Sequence, residues 1–130
     1  MNDVQVPVSP GELLDKITIL RIKAVRILDA AKLANVKLEL TLLETIWRDS
    51  GCAARALAQD EHALQQVNEQ LWDIEDRIRD KEARQTFDRE FIELARAVYV
   101  SNDERAAIKK RINTQLGSRI VEEKSYKQYR

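Results

Sequence analysis

The chain is predicted to be all-α, an antiparallel bundle of about four helices with the two longest in the C-terminal half. Three observations lead there. Only two Pro and three Gly interrupt 130 residues. Leu, Ala, Glu, Lys, Arg and Ile, residues common in helices, dominate the composition. Apolar residues recur every three or four positions along most of the chain, which is the spacing of a helix with one buried face. The length suits one domain with one hydrophobic core, so a single helical domain over 1–130 is expected.

Residues 1–8 read as an extended lead-in, because Pro7 opposes helix. "SPGE" at 9–12 then marks a helix start. Ser9 can cap, Pro10 suits the first helical position, and Glu12 completes a capping box. Leu13, Ile17, Leu20, Ala24 and Ile27 form the inner stripe of a first helix that ends near Asp29. Ile19 and Ile22 lie off that stripe, beside Asp15 and Arg26, and predict a second contact face, most simply with another copy of the chain.

A second helix is predicted over 34–48, with Leu33, Val36, Leu40, Leu43 and Trp47 inward and Gly51 as its stop. The third, over 53–84, carries a seam of Leu57, Leu64, Leu71 and Ile78 with Val67 and Ile74 alongside, and a disturbance is expected at "QDEH" (59–62). "QTFD" at 85–88 breaks the pattern. The fourth helix covers 89–116, buries Phe91, Leu94, Val98, Ile112 and Leu116, and stops at Gly117. The tail 118–130 is expected on the surface or frayed. Short connections between long helices imply antiparallel neighbours.

Charge narrows the function classes. Lys plus Arg and Asp plus Glu are 22 each, so no net field draws the chain to nucleic acid or an anionic membrane. The single Cys52 excludes an internal disulfide or a cysteine metal cluster and fits a reducing compartment. "MNDVQVPVSP" lacks the basic and apolar regions of a signal peptide, and no run approaches the roughly 20 apolar residues of a membrane span. A cytoplasmic location is the expectation.

The unusual feature is polar residues set beside or within apolar stripes. On the third helix Asn68, Glu75 and Glu82 are seven apart, with Trp72 and Arg79 next to them, and this line borders the leucine seam. On the fourth, Asn102, Arg105, Lys109 and Asn113 fall within the core line, flanked by Tyr99. Buried and unpaired, such groups would cost several kcal/mol each. They must pair with one another, open onto a water-filled cleft or hold a ligand. One reading pairs Glu75 and Glu82 with Arg105 and Lys109 across adjacent helices, a network that fixes register. The other counts donors. Arg79, Arg105 and Lys109 supply charge, Asn68, Asn102 and Asn113 supply amides, and Trp72 and Tyr99 supply flat faces. That set suits a phosphate or carboxylate on a ring or sugar, held between the third and fourth helices, with Glu75 as candidate acid, base or hydroxyl acceptor.

Glu12 and Asp15 at i, i+3, joined by Glu75 and Asp76, form a weaker candidate magnesium site; no other cofactor is expected. His62, the only histidine, sits in a polar stretch and reads as exposed. No serine triad, phosphate loop or histidine-rich metal motif is present in the sequence.

"PVSPGELLDKITIL", "VNEQLWDIEDRIRDKE", "ARAVYVSNDERAAIKKRIN" and the closing "VEEKSY" together resemble a small, mostly bacterial family of uncharacterised proteins of this length, a domain of unknown function. The resemblance spans nearly the whole chain and implies one helical domain without naming an activity. The third-helix pattern is also similar to that of another uncharacterised helical family. The paired carboxylates loosely resemble those of all-α nucleotide pyrophosphatases, which would imply magnesium-dependent hydrolysis. The Arg, Lys and Glu set is similar in type to that of dimeric helical chorismate mutases. A non-enzymatic, homodimeric interaction protein docking through Ile19 and Ile22 is the remaining alternative.

Overall fold

A computed structural model describes residues 2–56 and 58–129; Leu57 of the predicted seam lies outside them, as do the two terminal residues. Among the described residues there are five helices and no strand: α1 (Pro10–Arg26), α2 (Ala30–Asp49), α3 (Cys52–Arg55), α4 (Ala58–Ala83) and α5 (Arg89–Gln115). The all-α bundle is as expected, with the predicted third helix divided in two.

The helix ends follow local chemistry. The Ser9 hydroxyl accepts from the Glu12 amide at 3.2 Å and Pro10 opens α1. The Glu12 carboxylate does not complete the capping box, because it bonds Lys109 on α5 instead. The turn after α1 comes earlier than predicted, since the Asp29 carboxylate accepts from the Lys32 amide at 2.9 Å and starts α2 there. "QDEH" is not a mid-helix disturbance. It is the first turn of α4, where Asp60 and Glu61 meet the positive end of the helix dipole; the break itself is at Ala56, in extended backbone. After α5, Gly117 takes φ +66°, its amide bonds Thr114 O, and the Ser118 amide bonds Asn113 O. This is a Schellman end, which favours glycine because a Cβ strains that conformation.

α4 and α5 form the main antiparallel pair, and α1 lies against both, antiparallel to α5. α2 packs chiefly on α1 and α3. The core joins Leu13, Leu14, Ile17, Trp47, Leu64, Val67, Ile108, Ile112 and Leu116. α1 is therefore the central helix. Leu14 and Ile108, outside the predicted stripes, are core, and Ile22, predicted to dock outward, is buried within the chain. From Gly117 the tail runs back along α5. Glu122 stands 3.6 Å from Lys109, and the Tyr129 hydroxyl donates to Asp103 at 2.8 Å. No helix among the described residues is long and apolar enough to cross a membrane.

Candidate functional site

The inward polar residues of α4 and α5 meet on α1. Asp15 is 1% exposed. Its carboxylate accepts from Arg105 Nε at 2.9 Å, from an Arg105 terminal nitrogen at 2.5 Å and from Asn68 Nδ2 at 2.9 Å. Lys109 Nζ lies 3.7 Å away and bonds Glu12 at 2.6 Å. Asn68 also donates to the Thr18 hydroxyl at 3.0 Å, which donates in turn to the Asp15 carbonyl oxygen. Three helices thus share one buried carboxylate.

The electrostatics follow from that geometry. Burial opposes the Asp15 charge, but the bonds from Arg105 and Asn68, with the charges of Arg105 and Lys109, outweigh it and hold the carboxyl below its usual range. Arg105 is held more firmly charged by its bond to Asp15 despite its own partial burial. Among the described residues no buried side-chain nitrogen or oxygen lacks a hydrogen-bond partner, so the network is complete without a ligand.

Next to it, Asn113 accepts from the Gly11 amide at 2.7 Å, capping α1 from α5. A Cβ on Gly11 would stand 2.6 Å from the Lys109 carbonyl oxygen and 2.9 Å from Asn113 Oδ1. Only glycine permits so close an approach of α1 to α5. Asn113 is therefore structural.

Two hollows flank the hub, and Arg105 borders both. The larger, about 1120 Å³, lies between α5 and the returning tail, with Glu12 of α1 at its edge. Tyr99, Asn102 and Lys109 line it from α5, and Lys124, Tyr126 and Lys127 from the tail. Tyr99 meets Tyr129 edge to face at 4.9 Å. Lys124 is held charged by its bond to Glu122 at 2.7 Å, against an opposing field from Arg105. Two Arg105 nitrogens serve Asp15; its other terminal nitrogen has no partner among the described residues.

The smaller hollow, about 360 Å³, runs between α1 and α4, where Ile19, Ile22, Leu71 and Trp72 line it and Glu75 and Arg79 form its rim. Arg26 lies 5.8 Å over the Trp72 ring. Glu75 is exposed and bonds Arg79 one turn on at 3.1 Å.

The nine residues predicted to share one pocket are therefore divided. Tyr99, Asn102, Arg105 and Lys109 reach the larger hollow; Asn68, Trp72, Glu75 and Arg79 reach the smaller with Arg105; Asn113 reaches neither. The space expected between the third and fourth predicted helices is occupied by α1. Glu75 and Glu82 do not pair with Arg105 and Lys109, because Asp15 and Glu12 do. The magnesium grouping fails for the same reason. Glu12 and Asp15 are engaged by cations, Glu75 and Asp76 face outward on α4, and no three potential metal ligands gather among the described residues.

Sequence reasoning missed Asp15 as the hub and Lys124, Tyr126 and Lys127 as lining. The signal for Asp15 was present, since an acidic residue beside Leu14 on a helix with no clean polar face belongs near the core.

Comparison with protein families matches residues 4–129 to a family of unknown function (DUF6165). The chain belongs to that family. The DUF6165 match takes in Ser9, Asp15, Arg105 and the tail lysines together, so hub and larger hollow both lie within the family's span. No curated protein matches the chain, and no solved structure does.

Proposed function

We propose that the chain binds a small anion, a phosphate or carboxylate joined to a ring, in the hollow between α5 and the returning tail. The observation that carries this is the convergence of Arg105, Lys124 and Lys127 on one hollow, where these cations stand beside Glu12, Asp103 and Glu122. Asp15 fixes the Arg105 fork through two nitrogens and leaves a third for a ligand, so little side-chain entropy is lost on binding. Lys127 adds charge, and Tyr99 and Tyr126 offer ring faces. Glu75 lies off this hollow, so the reading is binding, with no acid–base role for Glu75.

Thermal shift with inorganic phosphate, a nucleoside monophosphate and a sugar phosphate tests it. The nucleoside monophosphate should raise Tm most, and less so at high salt. Lys124→Ala with Lys127→Ala, both exposed tail positions, should weaken that binding roughly tenfold to a hundredfold and leave the ligand-free Tm unchanged. No shift of the wild type with any of the three, or an undiminished response in the double variant, would overturn the reading.

A further inference from the structure

α2 has two apolar faces, and the chain covers one. Of its twenty residues only Val36 and Trp47 are buried, both on the side that meets α1. On the other side Leu38, Leu42 and Ile46 are 64%, 47% and 53% exposed. At about 100° per residue Leu38 and Leu42 sit on a seam formed by Ala31, Asn35, Leu38, Leu42, Thr45 and Asp49, and Ile46 flanks it. The steps along it alternate four, three, four, three, four, which is heptad spacing with one Asn at a core position. A solvated helix face has no need of two leucines in that register with an isoleucine beside them.

We infer that this face pairs with α2 of a second copy of the chain, antiparallel, about a twofold axis between Leu38 and Leu42. The register is fixed by overlap. Placing Leu38 against Leu42 of the second copy also sets Asn35 against Thr45 and Ala31 against Asp49, so all six seam positions are used. The charges choose the direction. Lys32 and Asp49 lie at opposite ends of the seam, and neither joins an ion pair with another described residue. An antiparallel pair brings Lys32 of each copy to Asp49 of the other. A parallel pair would set Asp49 against its own copy in the seam and align the helix dipoles unfavourably. The patch is thus complementary to itself, as a twofold interface must be. One group opposes this arrangement: Glu39, on the rim beside Leu38, meets its own copy across the axis.

Analytical ultracentrifugation from micromolar to millimolar concentration tests the pairing. The wild type should dimerise reversibly. Leu38→Lys with Leu42→Lys alters only exposed positions, keeps good helix formers, and should weaken dimerisation at least about a hundredfold with an unchanged circular dichroism spectrum. Lys32→Asp should weaken it and Asp49→Lys on top should restore it. Glu39→Gln should tighten the dimer roughly twofold to fivefold, an effect the parallel arrangement lacks, since there Glu39 faces Ala34. A wild type that stays monomeric throughout, or a dimer indifferent to the Leu38 and Leu42 changes, would overturn the interface. Loss in the leucine variant with no response to Glu39→Gln or to the charge swap would overturn the antiparallel register.

Discussion

Asn68 and Glu75 stand two turns apart on one face of α4, and the fold treats them in opposite ways. Asn68 is buried and bonds Asp15 and Thr18. Glu75 is exposed and bonds only its own helix neighbour, Arg79. The difference lies in α1. It ends at Arg26, level with Trp72 and Asp73, so the nearer half of the α4–α5 hairpin has a third helix over it and the far half does not. Beyond that level the hairpin is held by partly buried Ile74 and Ile78, an edge-to-face contact of Phe87 with Phe91 at 5.1 Å, and surface pairs such as Lys81 with Asp88 at 2.9 Å. One polar stripe is thus a buried network in one half and solvated charge in the other.

The largest expected effect comes from removing the shared carboxylate. Asp15→Ala leaves Arg105 without its acceptor and Asn68 without one of its two, and should cost about 3 kcal/mol, a fall in Tm of roughly 10 °C. Glu75→Ala should cost less than about 0.5 kcal/mol. Urea denaturation of both variants checks this, and equal losses would break the distinction between the two halves. Acid should erode the Asp15 contribution. The folded-state pKa of Asp15 is lowered, so its contribution is complete above the unfolded carboxyl value of about 3.9 and fades as pH falls from there through the folded value. The stability gap between wild type and Asp15→Asn should therefore close on acidification. A gap that widens as pH falls would contradict an ionised Asp15.

Next in size is the contact that seats α1. Gly11→Ala places a methyl 2.6 Å from the Lys109 carbonyl oxygen, which is backbone and cannot swing aside. The start of α1 must shift and strain the Asn113 cap, at a cost of about 1–3 kcal/mol. Because the same shift moves Asp15 relative to Arg105, the acid dependence should weaken along with the stability. Loss of stability with an unaltered acid profile would mean that the hub holds its geometry independently of the α1 start.

These sites differ in how far the sequence disclosed them. The helices, the Ser9 cap, the Gly117 stop and the inward direction of Asn68, Arg105 and Lys109 are legible in spacing and side-chain chemistry. Their partners are not, because periodicity reports which face is buried and says nothing of which helix covers it. The spacing places Asp15 beside Ile19 and Ile22 on a second contact face of the first helix, without saying what covers that face. A helix enclosed by α2, α4 and α5 buries positions around most of its circumference, from Gly11 through Ile22. The absence of a clean polar face on α1 reflects this central position, which buries Ile22 within the chain. Glu75 and Glu82 fail for the complementary reason, since nothing local to α4 marks where α1 ends above it.

The smallest effects concern the hairpin's two ends, which close with the same motif built from different residues. After α4 the Gln85 amide bonds Glu82 O and the Thr86 amide bonds Lys81 O, the bonding pattern found after α5 around Gly117. At the far end the left-handed position is Gln85, with φ +53°. A Cβ there costs roughly 1–2 kcal/mol. The Gln85 side chain returns part of it by donating to Glu82 O at 3.0 Å and to the Glu82 carboxylate at 3.3 Å, both exposed. Gln85→Gly removes the strain and those weak bonds while loosening the unfolded chain, and should stabilise by about 0.5–1 kcal/mol. Gly117→Ala should destabilise by about 1 kcal/mol. Opposite shifts in urea midpoint at constant slope are the expected result. A loss on Gln85→Gly would show that the Gln85–Glu82 bonds outweigh the backbone strain, and that the far end of the hairpin depends on side-chain capping where the near end depends on glycine.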